Sequence, residues 1–172
     1  MANLREVAVV GVGMTKFGSR PDKTNVELAS EAAMDALNES NLKPKDIQAL
    51  YLGVVFGGFE ESETNKAPKV AAEIGAAGIP ATRFEGACCS SSVALRDAFI
   101  WVASGFYDTV LVAGTEKAMS MGTPLATKAF ATATGAHHEG GAGMTFPGVF
   151  AMMALLYSKK YGIPLEKLKE QM

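Results

Sequence analysis

Phe84-Glu85-Gly86-Ala87-Cys88-Cys89-Ser90-Ser91-Ser92-Val93-Ala94-Leu95 is the stretch that decides the fold. A short apolar run, Ala81 to Phe84, stops at Gly86. A long apolar run begins after Cys88 and Cys89, the only cysteines of the chain. The first N–H groups of a helix have no intrahelical acceptor and carry a partial positive charge. A thiol held beside them is a better nucleophile, because its thiolate is favoured. Spacing alone leaves two readings open. One is a reactive cysteine on a strand-to-helix turn; the other is small side chains packing a close strand–helix contact.

Outward from the turn, the run Val93, Ala94, Leu95, Ala98, Phe99, Ile100, Trp101 and Val102 is apolar nearly all round, with Arg96 and Asp97 its main charges. Such a helix is expected to lie buried between two layers. Thr109 to Gly114 reads as a strand after it. Before the turn, Val7 to Val12 is a continuous apolar run closed by glycines, as in a strand buried on both faces. Gly11 to Gly18 imitates a dinucleotide fingerprint, but Lys16 stands where the third glycine belongs. Thr24-Asn25-Val26-Glu27 is a capping box opening a helix to about Ser40. Ile47 to Phe56 reads as a strand and Gly57 to Glu61 as a loop. A helix through Val70, Ala71 and Ile74 stops at Gly75. The order βαβαβαβ predicts an α/β fold, with a mainly parallel sheet between layers of helices.

After Thr115 the character changes. Met119 to Gly148 is rich in Gly, Thr, Ala and Met and shows no period, so it reads as a long functional loop. Phe150 to Tyr161 reads as a helix, and Pro164 suits the first turn of another. That last run, Leu165 to Met172, shows no C-cap and reads as an element cut short within a larger protein. The expected division is a core over 1–118 and a partial second domain over 119–172.

Of the 172 residues, 48% are apolar and 20% charged, an ordinary composition for a folded domain. The net charge of −2 gives no general electrostatic reason to bind nucleic acid. The N-terminus lacks the basic-then-apolar layout of a signal peptide, and no apolar run has the length of a membrane span. Two adjacent cysteines do not make a secreted disulfide framework, so a cytoplasmic protein is expected. The two histidines, His137 and His138, stand in the glycine-rich stretch. With Glu139 they lack a third or fourth ligand at usable spacing, so no metal is expected. Gly140 to Gly143 reads either as a close approach to a phosphate or as a hinge.

Glu85-Gly86-Ala87-Cys88-Cys89-Ser90-Ser91-Ser92 resembles the nucleophile motif of the thiolases, with Ser91 where glycine is common. Val110 to Lys117 followed by Met119-Ser120 resembles the strand and turn that follow. Thr145-Phe146-Pro147-Gly148 with Ala151 to Ala154, and the opening Val7 to Gly18, are similar to the archaeal and sterol-carrier-protein-like branch. The resemblance spans essentially the whole chain and implies the N-terminal half of a thiolase-like fold, plus the start of an inserted loop domain.

The resemblance implies that Cys88 is the catalytic nucleophile and Cys89 the small residue after it. It implies acyl transfer between CoA thioesters through a cysteine thioester, in the sense of acetoacetyl-CoA formation or 3-ketoacyl-CoA thiolysis. Coenzyme A and acyl-CoA are then substrates, with no tightly bound cofactor. The histidine that activates the thiol, a second histidine and a second cysteine belong to the family's second half, whose motifs do not occur here. His137 and His138 read either as acyl-CoA contacts or as plain loop residues, and Phe146 is a further candidate contact. A homodimer or homotetramer is implied, with the strand Ala81 to Glu85 near the two-fold axis. The archaeal likeness further implies a complex with a zinc-and-OB-fold partner and a hydroxymethylglutaryl-CoA synthase. The alternatives are a non-catalytic thiolase-like scaffold or acyl-CoA-binding subunit completed by a partner chain, and a decarboxylating condensing enzyme of the ketoacyl-synthase type.

Overall fold

Thr24 opens the first helix as its capping box predicts. Its side chain accepts from Glu27 N, and the Glu27 carboxylate takes Thr24 N at 2.7 Å. In the computed structural model, which describes residues 4–170, helix α1 runs Asn25–Ser40 and ends on Asn41 in the left-handed region. The chain continues through a 3₁₀ turn, Pro44–Asp46, into β1 (Ala49–Gly53), α2 (Gly57–Glu60), α3 (Lys66–Glu73), β2 (Ala81–Phe84), α4 (Ser90–Ala103) and β3 (Val110–Gly114). A 3₁₀ turn, Ala118–Met121, closes this first unit, which covers residues 1–121.

The three strands form one parallel sheet in the order β2-β1-β3. Central β1 is buried on both faces, and its side chains alternate between two cores. Leu50 and Leu52 meet the helix side of α1 and α3, with Ala33, Leu37, Val70 and Ile74. Ala49 and Tyr51 meet α4, through Ala94 and Ala98. Strand period and helix stripe therefore agree, and the unit is a three-layer α/β sandwich.

Three expectations are corrected. Val7 to Val12 is not a strand: a strand needs a neighbour to take its backbone groups, and the sheet pairs this segment with none. Val9, Val10 and Val12 are exposed, and Val12 N is held on the Glu39 carboxylate. Just before it, Arg5 caps the end of α4, its guanidinium on Val102 O, Tyr107 O and Asp108. Secondly, α4 is covered on its sheet side alone. Leu95, Phe99 and Ile100 are exposed, because among the described residues no layer packs on that face. Thirdly, Gly57 to Glu60 is one turn of helix rather than loop.

The second unit, residues 122–172, is helical where the sequence shows no period. It comprises α5 (Gly122–Ala131), a π-type turn (Ala136–Gly140), α6 (Phe146–Tyr161) and α7 (Leu165–Lys169). An Ala-rich core, Leu125 to Ala131, carries α5 despite Gly122 and Pro124, which fall in its first turn. Helix α6 starts four residues earlier than Phe150, on the signal of an N-cap Thr145 that accepts Gly148 N at 3.2 Å, with Pro147 in the first turn. Pro164 is the N-cap of α7. The expected continuation of that helix through Gln171 and Met172 lies outside the described residues.

Two glycines seat α4 on the sheet. Gly53 and Gly114 face each other across β1 and β3, and a Cβ at Gly53 would stand 2.5 Å from Ser91 Oγ, with one at Gly114 closer still. Gly53→Ala, whose Cβ would also stand 2.6 Å from Ser91 N and Cα, is therefore expected to destabilise the unit by about 1–3 kcal/mol, the usual cost of overpacking. Denaturant unfolding measures it; an unchanged midpoint would mean α4 is not seated there.

Candidate active site

The turn between β2 and α4 is closed by its own side chains. Ser90, buried as the first residue of α4, accepts Gly86 N at 3.0 Å and donates to Ala87 O at 2.7 Å. The Glu85 carboxylate takes Ala87 N at 2.5 Å. These bonds hold Ala87 at φ +48, in the left-handed region that a non-glycine residue rarely adopts. Strain of that kind persists only where the surroundings over-determine it.

The two thiols are then inequivalent. Both cysteines are exposed. Cys89 caps α4 and turns its Sγ back onto Gly86 O at 2.8 Å. Among the described residues no hydrogen bond engages the Cys88 thiol. It stands one residue before the cap of a 14-residue helix, beside amides that lack intrahelical acceptors.

Around the same end of the sheet lies a charged network that sequence reasoning missed. Asn25 is fully buried at the start of α1. Its backbone N donates to Glu61 at 2.9 Å, its side-chain amide donates to Glu60, and its Oδ1 accepts Thr115 Oγ1 at 3.0 Å. The Glu60 carboxylate also takes Lys117 N at 3.1 Å. Lys66, 1% exposed, pairs with Glu61, and with Glu63 at 3.5 Å. The Glu116 carboxylate accepts Val55 N at 2.8 Å and Phe56 N at 3.2 Å. A faint signal existed: Glu60, Glu61, Glu63 and Lys66 crowd one short stretch, and Glu116 stands two residues past an apolar strand.

The carboxylates titrate apart. Burial, then the like charges of Glu116 and Glu61, push Glu60 up from 4.5 to about 7. Burial raises Glu61 too, but its bonds from Lys66 and Asn25 N outweigh that and hold it below its ordinary value.

His137 and His138 lie in the π-type turn of the second unit, and Phe146 starts α6, its ring 6.0 Å from that of Phe130. Among the described residues no group of three or more His, Cys, Asp or Glu could hold a metal ion, and no helix is long and apolar enough to cross a membrane.

Glu60 generates a pH prediction. Its folded-state pKa is raised, so the native chain holds this proton more tightly than the unfolded one. That contribution to stability is complete below the ordinary value of 4.5 and is lost as pH climbs through about 7. Glu60→Gln cannot ionise. Between about pH 5 and about pH 8 its urea midpoint should gain on that of the wild type. A gap that stays constant across that interval would contradict the assignment.

Comparison with known proteins bears on the family and the fold. The family model described as thiolase, N-terminal domain, matches residues 7–171. The acetyl-CoA acetyltransferase of Methanocaldococcus jannaschii is 39% identical over 165 residues, covering 96% of this chain and 42% of that protein. Its counterpart in Methanothermobacter thermautotrophicus is 37% identical, with 96% and 43% covered. The chain thus spans less than half the length of these relatives. Sterol carrier protein 2 of Homo sapiens is 34% identical over 125 residues, 71% of this chain and 22% of that protein. The solved acetyl-CoA acetyltransferase from Syntrophomonas wolfei shares the fold, with a TM-score of 0.55 at 19% identity over 60% of this chain and 27% of that one. With a family match over nearly its whole length, on a sheet and turn of the same fold, the chain belongs to the thiolase family, through that family's N-terminal domain.

Proposed function

We propose that this chain carries the nucleophile of a thiolase that moves acyl groups between CoA thioesters, with Cys88 as the acyl carrier. The observation that supports this most is the inequivalence of the thiols: Cys89 is spent on Gly86 O, whereas Cys88 is exposed and unengaged at the start of α4. The Cys88 thiolate attacks the carbonyl carbon of an acyl-CoA, and the carbonyl π pair moves onto oxygen. Collapse of that adduct expels the CoA thiolate and leaves the acyl group on Sγ. Backbone N–H groups at the head of α4 are the donors within this chain suited to the transient oxyanion. A second acyl-CoA, deprotonated at its α-carbon, then attacks the Cys88 thioester and regenerates the thiolate. Thiolysis runs the same steps in reverse.

Proton transfer needs a base for the thiol and an acid/base for the α-carbon. His137 and His138 are the two histidines of the chain, and no family motif assigns them that work. They and Phe146 are proposed instead as acyl-CoA contacts, at the start of the inserted loop domain over 119–172. The outer edge of β2 is proposed as a homodimer contact.

The test is thiolysis of acetoacetyl-CoA by the full-length product. Cys88→Ala should lower turnover by at least about a thousandfold, because no second nucleophile stands in its place. Cys89→Ala should retain most of it. This 172-residue chain alone should show no turnover. Wild-type rates in Cys88→Ala would end the reading. Equal rates for the chain and the full-length product would force His137 or His138 into the proton-transfer role denied to them here.

A further inference from the structure

We infer that Arg83 and Glu116 are positioning residues for the Cys88 turn, gripping a single three-residue strap, Val54–Phe56, from opposite sides. This rests on the proposed role of Cys88 and deepens it.

The strap prolongs β1 past the end of the sheet. On one side the last rung is Val54 N to Phe84 O at 3.3 Å; on the other it is Thr115 N to Gly53 O at 3.2 Å. Past those rungs strand pairing offers the strap nothing. Arg83, the residue before Phe84, supplies two donors: Nε to Val54 O at 3.1 Å and Nη2 to Val55 O at 2.7 Å. Glu116, two residues past the end of β3, supplies the acceptors for Val55 N at 2.8 Å and Phe56 N at 3.2 Å. The cation takes the carbonyls and the anion takes the amides. Both sets of bonds are charge-assisted, and they polarise the same peptide units in the same sense. The two side chains therefore act on each other through backbone and form no ion pair of their own.

The strap is coupled to the nucleophile by two short routes. Val54 N holds Phe84 O, and the turn carrying Cys88 begins at the next residue. Gly53, directly before the strap, lies under Ser91 at the head of α4. A displaced strap thus moves both ends of the segment 85–91. That segment contains strained Ala87, which stays left-handed only while its surroundings hold it. Neither Arg83 nor Glu116 reaches the reacting atoms in this account. They set where the thiol stands.

The experiment uses the full-length protein with four variants: Glu116→Gln, which keeps the shape and one acceptor oxygen; Arg83→Met; Arg83→Lys; and the double Arg83→Met/Glu116→Gln. Thiolysis kcat and KM are measured with the ratio of Cys88 to Cys89 adducts after brief iodoacetamide labelling. Glu116→Gln and Arg83→Met should each lower kcat about ten- to a hundredfold, with KM held within about twofold, as misplacement of a catalytic group does. The adduct ratio should fall toward unity in both. Arg83→Lys, with one ammonium in place of a fork, should lie between wild type and Arg83→Met. The double variant should lose less than the product of the single losses, because both grips act on one strap. Unchanged kcat in folded Glu116→Gln, or strict multiplication of the losses in the double variant, would overturn the inference. Should the wild type show no thiolysis, the proposed function fails and the adduct ratio alone decides. A falling ratio then upholds the grip, and an unmoved one overturns it.

Discussion

The contact of Ser91 with the facing pair Gly53 and Gly114 is the constraint on which the rest of the first unit depends. A parallel sheet puts the ends of its strands side by side, and each strand must hand over to a loop or helix there. Two hydrogens in place of two side chains let the head of α4 settle onto the sheet at that end. Ala94 and Ala98 continue the close approach along the helix, and Tyr51, edge-on to Phe84 at 5.1 Å, fills the space beside them. The turn before α4 is left little freedom. Gly86, left-handed Ala87 and buried Ser90 are what a chain needs to leave β2 and enter a helix within a few residues.

Polar groups finish what packing cannot. Loops at the strand ends carry N–H and C=O groups that the sheet no longer serves, and buried ones must find partners. Here charged side chains serve them: Glu116 and Arg83 for the strap, Glu60 for Lys117 N, and Glu61 for Asn25 N. Gathering several carboxylates at one end of the sheet has a consequence: partial burial and the like charges of Glu116 and Glu61 raise the pKa of Glu60. Lys66, nearly sealed from solvent, balances Glu61 and Glu63. A buried pair of this kind is weak evidence for added stability, but removing one partner strands the other's charge. The network therefore reads as a device for fixing loops rather than for adding stability.

How much of this was legible in the sequence depended on how local its cause was. Thr24 and Glu27 announced α1, and Gly75, at φ +82, announced the end of α3, because caps and left-handed glycines are decided within a few residues. The strands β1, β2 and β3 stood out as apolar runs, each trimmed by a residue or more at its ends. Val7 to Val12 has the same composition, but a strand exists only where a neighbour pairs with it, and composition carries no information about neighbours. The apolar circumference of α4 told of two covering layers, of which the described residues supply one. In the second unit the Ala and Thr content of α5 hid its period. At the site, the strand-to-helix turn was legible from its residues, and the preference for Cys88 over Cys89 came from family likeness; the Cys89–Gly86 bond adds a difference between the two thiols. The grip on the strap needed coordinates, because Arg83, Val55 and Glu116 are distant in sequence.

The central claim is that the Cys88 sulfur becomes the acyl carrier. The most direct measurement is peptide mapping by mass spectrometry after the full-length protein is incubated with acetyl-CoA and quenched in acid. The account predicts the mass of one acetyl group on the peptide spanning both cysteines, fragment ions that place it on Cys88, and its removal by hydroxylamine as a thioester. Acetyl on Cys89, or none on either cysteine in a protein that still turns over, would contradict it.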